Sequence, residues 1–210
     1  MLRLLLLLGL GFAGNVQAAT LSCPSYEDIV NVSMLNFNVQ HFSSTWYMIA
    51  TNEPTLPSNC TCSINNVTVS PDSKTYSYTN LDSCFDTMDI AIHIAGEISD
   101  PFGEPGYLME NAVVAGHQLT PLKPNYLFAV DRDEDGNEAV VYSYACLGKI
   151  LGKERFSFNV LSKSKDYDEA DIQKLIDEVV AKVDVELDTD GIRFSTKDDY
   201  EHCEQKENNP

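Results

Sequence analysis

From Thr45 to Ser162, apolar and polar side chains alternate in short runs, the period of strands with one buried face. The clearest run sets Met88, Ile90, Ile92 and Ile94 against Asp89, Ala91, His93 and Ala95. Val67 and Val69 alternate with Asn66 and Thr68, and further strand runs occupy 126–130, 139–145 and 156–161. Turn chemistry separates them: Ser70-Pro71-Asp72-Ser73, Asp100-Pro101-Phe102-Gly103, residues 121–125, and Asp135-Gly136-Asn137. With strands around Trp46 and over 107–114, eight fall between residues 44 and 162. Hairpin spacing without long helical interruptions predicts an antiparallel sandwich or barrel.

The period changes after Asp168. Ile172, Leu175, Ile176, Val179 and Val183 form one stripe of a helix, with Asp168 as its N-cap. Gly191 to Ser195 predicts a further short strand, and the acidic tail from Asp198 to Glu207 reads as solvated. A sandwich would not need that helix. The expected fold class is therefore all-β, with one amphipathic helix after eight strands.

The first residues add an address to this picture. Arg3, the apolar run Leu4 to Leu8, and Val16-Gln17-Ala18 make residues 1–18 a signal peptide, too short to serve as a permanent bilayer span. Residues 19–210 contain no linker or repeat and read as a single domain. The formal charge of −18 disfavours nucleic acid and anionic membrane surfaces as partners. Six cysteines imply three disulfides in an oxidising compartment, and sequons at Asn31, Asn59 and Asn66 imply a secreted, extracellular glycoprotein.

The motifs carry a resemblance. Phe42-Ser43-Ser44-Thr45-Trp46-Tyr47-Met48-Ile49-Ala50 looks like the opening lipocalin motif, with Ser44 where the family has Gly. Tyr126 to Asp131 resembles the strand with a Thr-Asp pair, Val130 replacing Thr. Phe158 to Lys163 resembles the strand whose end supplies an Arg over the Trp, here Lys163. Val141-Tyr142-Ser143, the segment from Leu161 to Leu175 and the sequon at Asn66 are similar to the apolipoprotein D-like branch.

The resemblance implies an eight-stranded antiparallel up-and-down β-barrel with one C-terminal α-helix packed outside, a floor closed by Trp46 and Lys163, and disulfides joining Cys23 to Cys146 and Cys62 to Cys203. Cys60 and Cys84 remain. A hairpin turning about Asp72 sets them opposite each other, which suits a cross-strand bridge and would place Cys60, Cys62 and Asn66 on the outer face. Cys62–Cys84 with Cys60–Cys203 is an open alternative. With that parity the second strand lines the lumen with Asn65, Val67 and Val69. The family's facing adds Met48, Ala50, Leu127, Ala129, Asn159 and Leu161.

The implied function is extracellular binding, transport or sequestration of a small hydrophobic ligand such as a lipid, sterol, retinoid, fatty acid or pigment. No catalysis, cofactor or metal is expected. Access would be gated by Asn52 to Asn59 or by Asp100 to Gly106. Three rivals stay open. An isomerase-type lipocalin would need a free luminal thiol. An amine binder would need pocket carboxylates, for which Glu110 and Asp89, both expected to face solvent, are the candidates. A protein partner is the third. Asp131 to Gly136 matches half of an EF-hand loop, but position twelve is Tyr142, and an acidic hairpin turn is expected. Ligand identity and oligomeric state are not set by the sequence.

Overall fold

The structure, a computed structural model, describes residues 23–54, 56–84, 90–100, 102–114, 117–118, 120–150 and 153–208. The signal peptide, Met88 and Asp89 lie outside the described residues. The chain starts with α1 (Tyr26–Ile29) and two 3-10 turns (Val32–Asn36 and Val39–Phe42). The strands are β1 (Thr45–Thr51), β2 (Cys60–Val69), β3 (Thr75–Cys84), β4 (Ile90–Asp100), β5 (Glu104–Val114), β6 (His117–Gln118), β7 (Lys123–Arg132), β8 (Glu138–Ile150) and β9 (Lys153–Ser162). After them come α2 (Glu169–Val180), β10 (Arg193–Phe194) and α3 (Lys197–Asn208).

Every strand of the barrel pairs antiparallel with its neighbour, and β1 also pairs with β9, so the wall closes on itself without a free edge. The two-residue β6 only pairs β5, and β10 adds to β1. Strand direction alternates, so the start of β1, the end of β9 and the β2–β3, β4–β5 and β7–β8 turns share one end. That end is the floor. The turn after Asp100 therefore belongs to the floor and cannot gate the mouth as expected. The mouth carries the β1–β2 segment and the β5–β7 connection.

Two apolar clusters hold the molecule. One fills the lower lumen, where Phe42, Trp46, Val69, Ile98, Val130 and Val141 pack together. The other lies outside the barrel, where Ile29 of α1, Ile172, Ile176 and Val179 of α2, and Tyr200 of α3 cover Phe128, Tyr142, Tyr144, Phe158 and Val160. α2 begins where its cap predicts: the Asp168 side chain accepts from the Asp171 backbone N–H at 3.0 Å, and Asp171 returns a capping box. Of the stripe read from the sequence, Ile172, Ile176 and Val179 are buried and Leu175 is half-buried, while Val183 lies beyond the end of α2.

The tail departs from expectation. Its acidic residues Asp198, Glu201 and Glu204 are exposed as expected, but the segment forms a helix, α3, whose start is fixed by Asp199 accepting from the backbone and hydroxyl of Thr196, both at 2.8 Å. Tyr200 is buried, its hydroxyl within hydrogen-bond distance of the Met48 and Ser63 carbonyls. Among the described residues two helices C-terminal to the barrel, not one, pack outside it. Cys62–Cys203 ties α3 to β2 and Cys23–Cys146 ties the N-terminal segment to β8, with Cα–Cα distances of 6.6 and 5.8 Å.

The second strand also departs from strict alternation. Its hairpin pairs Asn65 with Asn80 and Asn66 with Thr79, and the register shifts between Thr61 and Ile64 before Cys60 reaches Cys84. Cys62, with φ 57°, stands in this bulge. The extra residue reverses parity. The expected shared face of Cys60, Cys62 and Asn66 is therefore broken, although Cys60 still faces Cys84 in register. Cys60 is itself disulfide-bonded.

Candidate ligand-binding cavity

Inside the barrel, above the floor, lies a cavity of about 360 Å³, within the range of small-molecule sites. Trp46 closes it from below. It is fully buried, its indole N–H donates to the Phe42 carbonyl at 2.9 Å, and the Lys163 ammonium stands 5.1 Å over its ring. Lys in place of Arg keeps the cation over the ring. Ser44 replaces the expected Gly without loss of pairing, since its carbonyl accepts from the Val67 N–H at 2.9 Å.

Of the residues expected to line the lumen, Met48, Asn65, Val67, Leu127, Asn159 and Leu161 line this cavity. Val69 is buried lower, in the floor cluster. Ala50 and Ala129 are not in the lumen: both belong to the outer cluster. One cause explains both. The β1–β9 register shifts between Met48 and Ala50, and the β7–β8 register shifts between Leu127 and Ala129. Each bulge turns the next residue to the opposite face. Past the first bulge Thr51 takes the inward place, its hydroxyl donating to Asn159 Oδ1 at 2.6 Å.

The expected lining left out the wall formed by β3, β4 and β5, although the alternation of Ile92 and Ile94 marked a buried face of β4. Tyr76, Tyr78 and Asn80 face Ile92 and Ile94 across it, with Leu108, Glu110 and Ala112 beside them. The alternation Tyr76-Ser77-Tyr78-Thr79 carried that signal. Glu110 does not face solvent, as expected, but lines the cavity. The Tyr76 hydroxyl donates to Glu110 Oε2 at 2.7 Å, and the Tyr78 hydroxyl donates to the same atom at 3.4 Å. Burial raises the Glu110 carboxyl above its ordinary range, against the pull of these donors and of Asn125. Burial first, and the Glu110 charge second, push both phenols well up, so they stay protonated.

At the mouth, Arg193 of β10 pins the β1–β2 segment. Its guanidinium donates to the carbonyls of Pro57 at 2.9 Å, Leu56 at 3.1 Å and Glu53 at 3.3 Å. Asn52 adds to this, donating to the Asp188 carbonyl at 2.9 Å and accepting from the Phe158 N–H at 2.7 Å. The Asp131 to Gly136 segment forms the β7–β8 turn. There the Asp133 carboxylate accepts from the backbone N–H of Asn137 at 2.8 Å and of Asp135 at 3.0 Å. Of the sequon residues, Asn66 is exposed on the outer face, while Asn31 and Asn59 are half-buried. Among the described residues no helix is long and apolar enough to cross a membrane.

No family model matches the sequence. No curated protein matches it either. Solved structures do match the fold. Insecticyanin from the tobacco hornworm Manduca sexta is 17% identical, with a TM-score of 0.58 over 84% of this chain and 86% of that one. Apocrustacyanin C2 is 16% identical, with a TM-score of 0.54 over 76% of this chain and 79% of that one. Lobster apocrustacyanin A1 is 15% identical, with a TM-score of 0.53 over 74% and 77%. These proteins are lipocalins, and what this chain shares with them is the lipocalin fold.

Proposed function

We propose that the protein is an extracellular carrier or sequestering protein that holds one small hydrophobic molecule in its barrel. The classes that fit are a lipid, sterol, retinoid, fatty acid or pigment. The observation that carries this reading is the cavity itself. Phe42, Met48, Val67, Ile92, Ile94 and Leu108 present apolar surface, and Asn65, Asn80, Asn125 and Asn159 supply a few polar contacts. Binding is burial without chemistry, since apolar ligand surface leaving water is worth about 25 cal/mol per Å². An isomerase would need a luminal thiol, and among the described residues no cysteine is free.

Secretion is supported by the leader, the sequons and the two cystines, which persist only where the compartment is oxidising. Placement beside apolipoprotein D rests on the cysteine spacing and the strand-to-helix segment. The register of Cys60 against Cys84 supports the third bridge. The test is native mass spectrometry of protein secreted from eukaryotic cells, deglycosylated and exposed to a mixed lipid extract. One apolar species per chain, lost on organic extraction, is the expected result. A clean apo mass that no lipid, retinoid or sterol shifts contradicts the carrier reading.

A further inference from the structure

One row across the lumen is not apolar. In register, Tyr76 of β3, Gly96 of β4, Glu110 of β5 and Lys123 of β7 stand side by side. Gly96 is the gap that makes the row work. A Cβ there would fall 2.3 Å from Tyr76 Cε1 and 2.7 Å from its hydroxyl. Without one, the Tyr76 side chain crosses β4 and reaches Glu110. Tyr78 lies against it, the two rings nearly parallel at 13° with centroids 6.2 Å apart.

Glu110 thus has hydroxyl donors, but among the described residues it forms no ion pair. Lys123, next to Glu110 in the row, also lines the cavity, but its ammonium is engaged by the Leu147 carbonyl, to which it donates at 3.0 Å under Gly148. Arg193 is committed to the mouth segment. A carboxylate set in an apolar lumen without a counter-charge costs stability. Here it is also oriented, by two phenol hydroxyls that both donate to it. Glu53 lines the same cavity, Asp82 is buried between Ser63 and Asn80 near the mouth, and the chain carries a formal charge of −18. The field at the opening therefore attracts cations.

We propose that the lumen takes a molecule with an apolar body and a protonated nitrogen at one end, the nitrogen seated on Glu110 beside the rings of Tyr76 and Tyr78. The ammonium donates a charge-assisted hydrogen bond to the carboxylate and is attracted by the ring faces. The apolar body fills the space between Ile92, Ile94 and Leu127. This rests on the carrier reading and narrows it to amines.

The experiment uses three probes with one tail: dodecylamine, dodecanol and dodecanoate. Each displaces a fluorescent hydrophobic dye from the full mature chain at near-neutral pH and low salt. The wild-type protein binds the amine about tenfold or more tighter than the alcohol, with the carboxylate weakest. In Glu110→Gln the ratio of amine to alcohol affinity falls to about one. The wild-type ranking decides the matter alone if that variant does not fold. Alcohol or carboxylate binding as tightly as amine overturns the inference and leaves the carrier reading standing, as does a folded Glu110→Gln that keeps the preference. No displacement by any of the three overturns both.

Discussion

The two halves of the barrel wall are built differently. In β7 and β8 every residue from Asn125 to Val130 and from Val140 to Cys146 is buried, because the lumen covers one face and the outer helices the other. In β3, β4 and the part of β5 beyond Tyr107, which still packs on Tyr26, the inner face is the covered one. Ser77, Ala91, His93 and Glu97 are exposed while Tyr76, Gly96, Ile98 and Leu108 are buried. The thick half is a core and carries stability. The thin half needs only one apolar face, so it can hold the polar row of Tyr76 and Glu110 and still leave space for a ligand.

That contrast predicts where substitution hurts. The largest effect belongs to the thick half: Phe158→Ala, at a fully buried position packed on Phe128, costs about 3–5 kcal/mol by urea unfolding. Next, replacing both Cys62 and Cys203 by Ala frees α3 from β2 and costs about 2–5 kcal/mol by the same measure. Losses below about 0.5 kcal/mol in both variants would erase the distinction between the halves.

The third prediction concerns pH. Burial holds the Glu110 carboxyl above its ordinary 4.5. Between that value and the raised one, the folded chain binds a proton that the unfolded chain has lost. Stability from this group is therefore greatest at acidic pH and falls as pH climbs through the window. Glu110→Gln flattens that part of the profile and unfolds at a higher temperature than wild type at about pH 8. Asp82, also raised by burial, keeps part of the slope in both proteins. Parallel melting profiles for the two proteins from acid to neutral pH would contradict the burial of Glu110. The smallest effect is on the thin half's outer face, where Ser77→Ala stays within about 0.5 kcal/mol.

The same contrast explains what was legible in the sequence. One-sided strands alternate, so the inward face of β4 could be read from Ile92 and Ile94. Two-sided strands do not. In Tyr126 to Val130 no polar residue marks an outer face, so nothing signalled the bulge that sends Ala129 outward, and Ile49 hides the one that turns Ala50. Trp46 over Lys163 was legible because the family motifs set it at the ends of β1 and β9. Glu110 was not, since Leu108-Met109-Glu110-Asn111-Ala112-Val113 is equally mixed on both faces. Only its neighbours in space, Tyr76 and Gly96, give its direction. The helix α3 was hidden by its charge: its buried anchors Tyr200 and Cys203 stand among acidic residues.

The central claim, that the lumen of the thin half is the binding site, is tested by filling it. Ala112 lines the cavity beside Glu110, and Ala112→Trp would occupy the space a ligand needs. Titration with a fluorescent hydrophobic probe, alongside circular dichroism, gives the answer. The account predicts one probe per wild-type chain and an affinity at least about tenfold weaker in a variant whose spectrum is unchanged. Equal affinity in two equally folded proteins would place binding outside the barrel and contradict it.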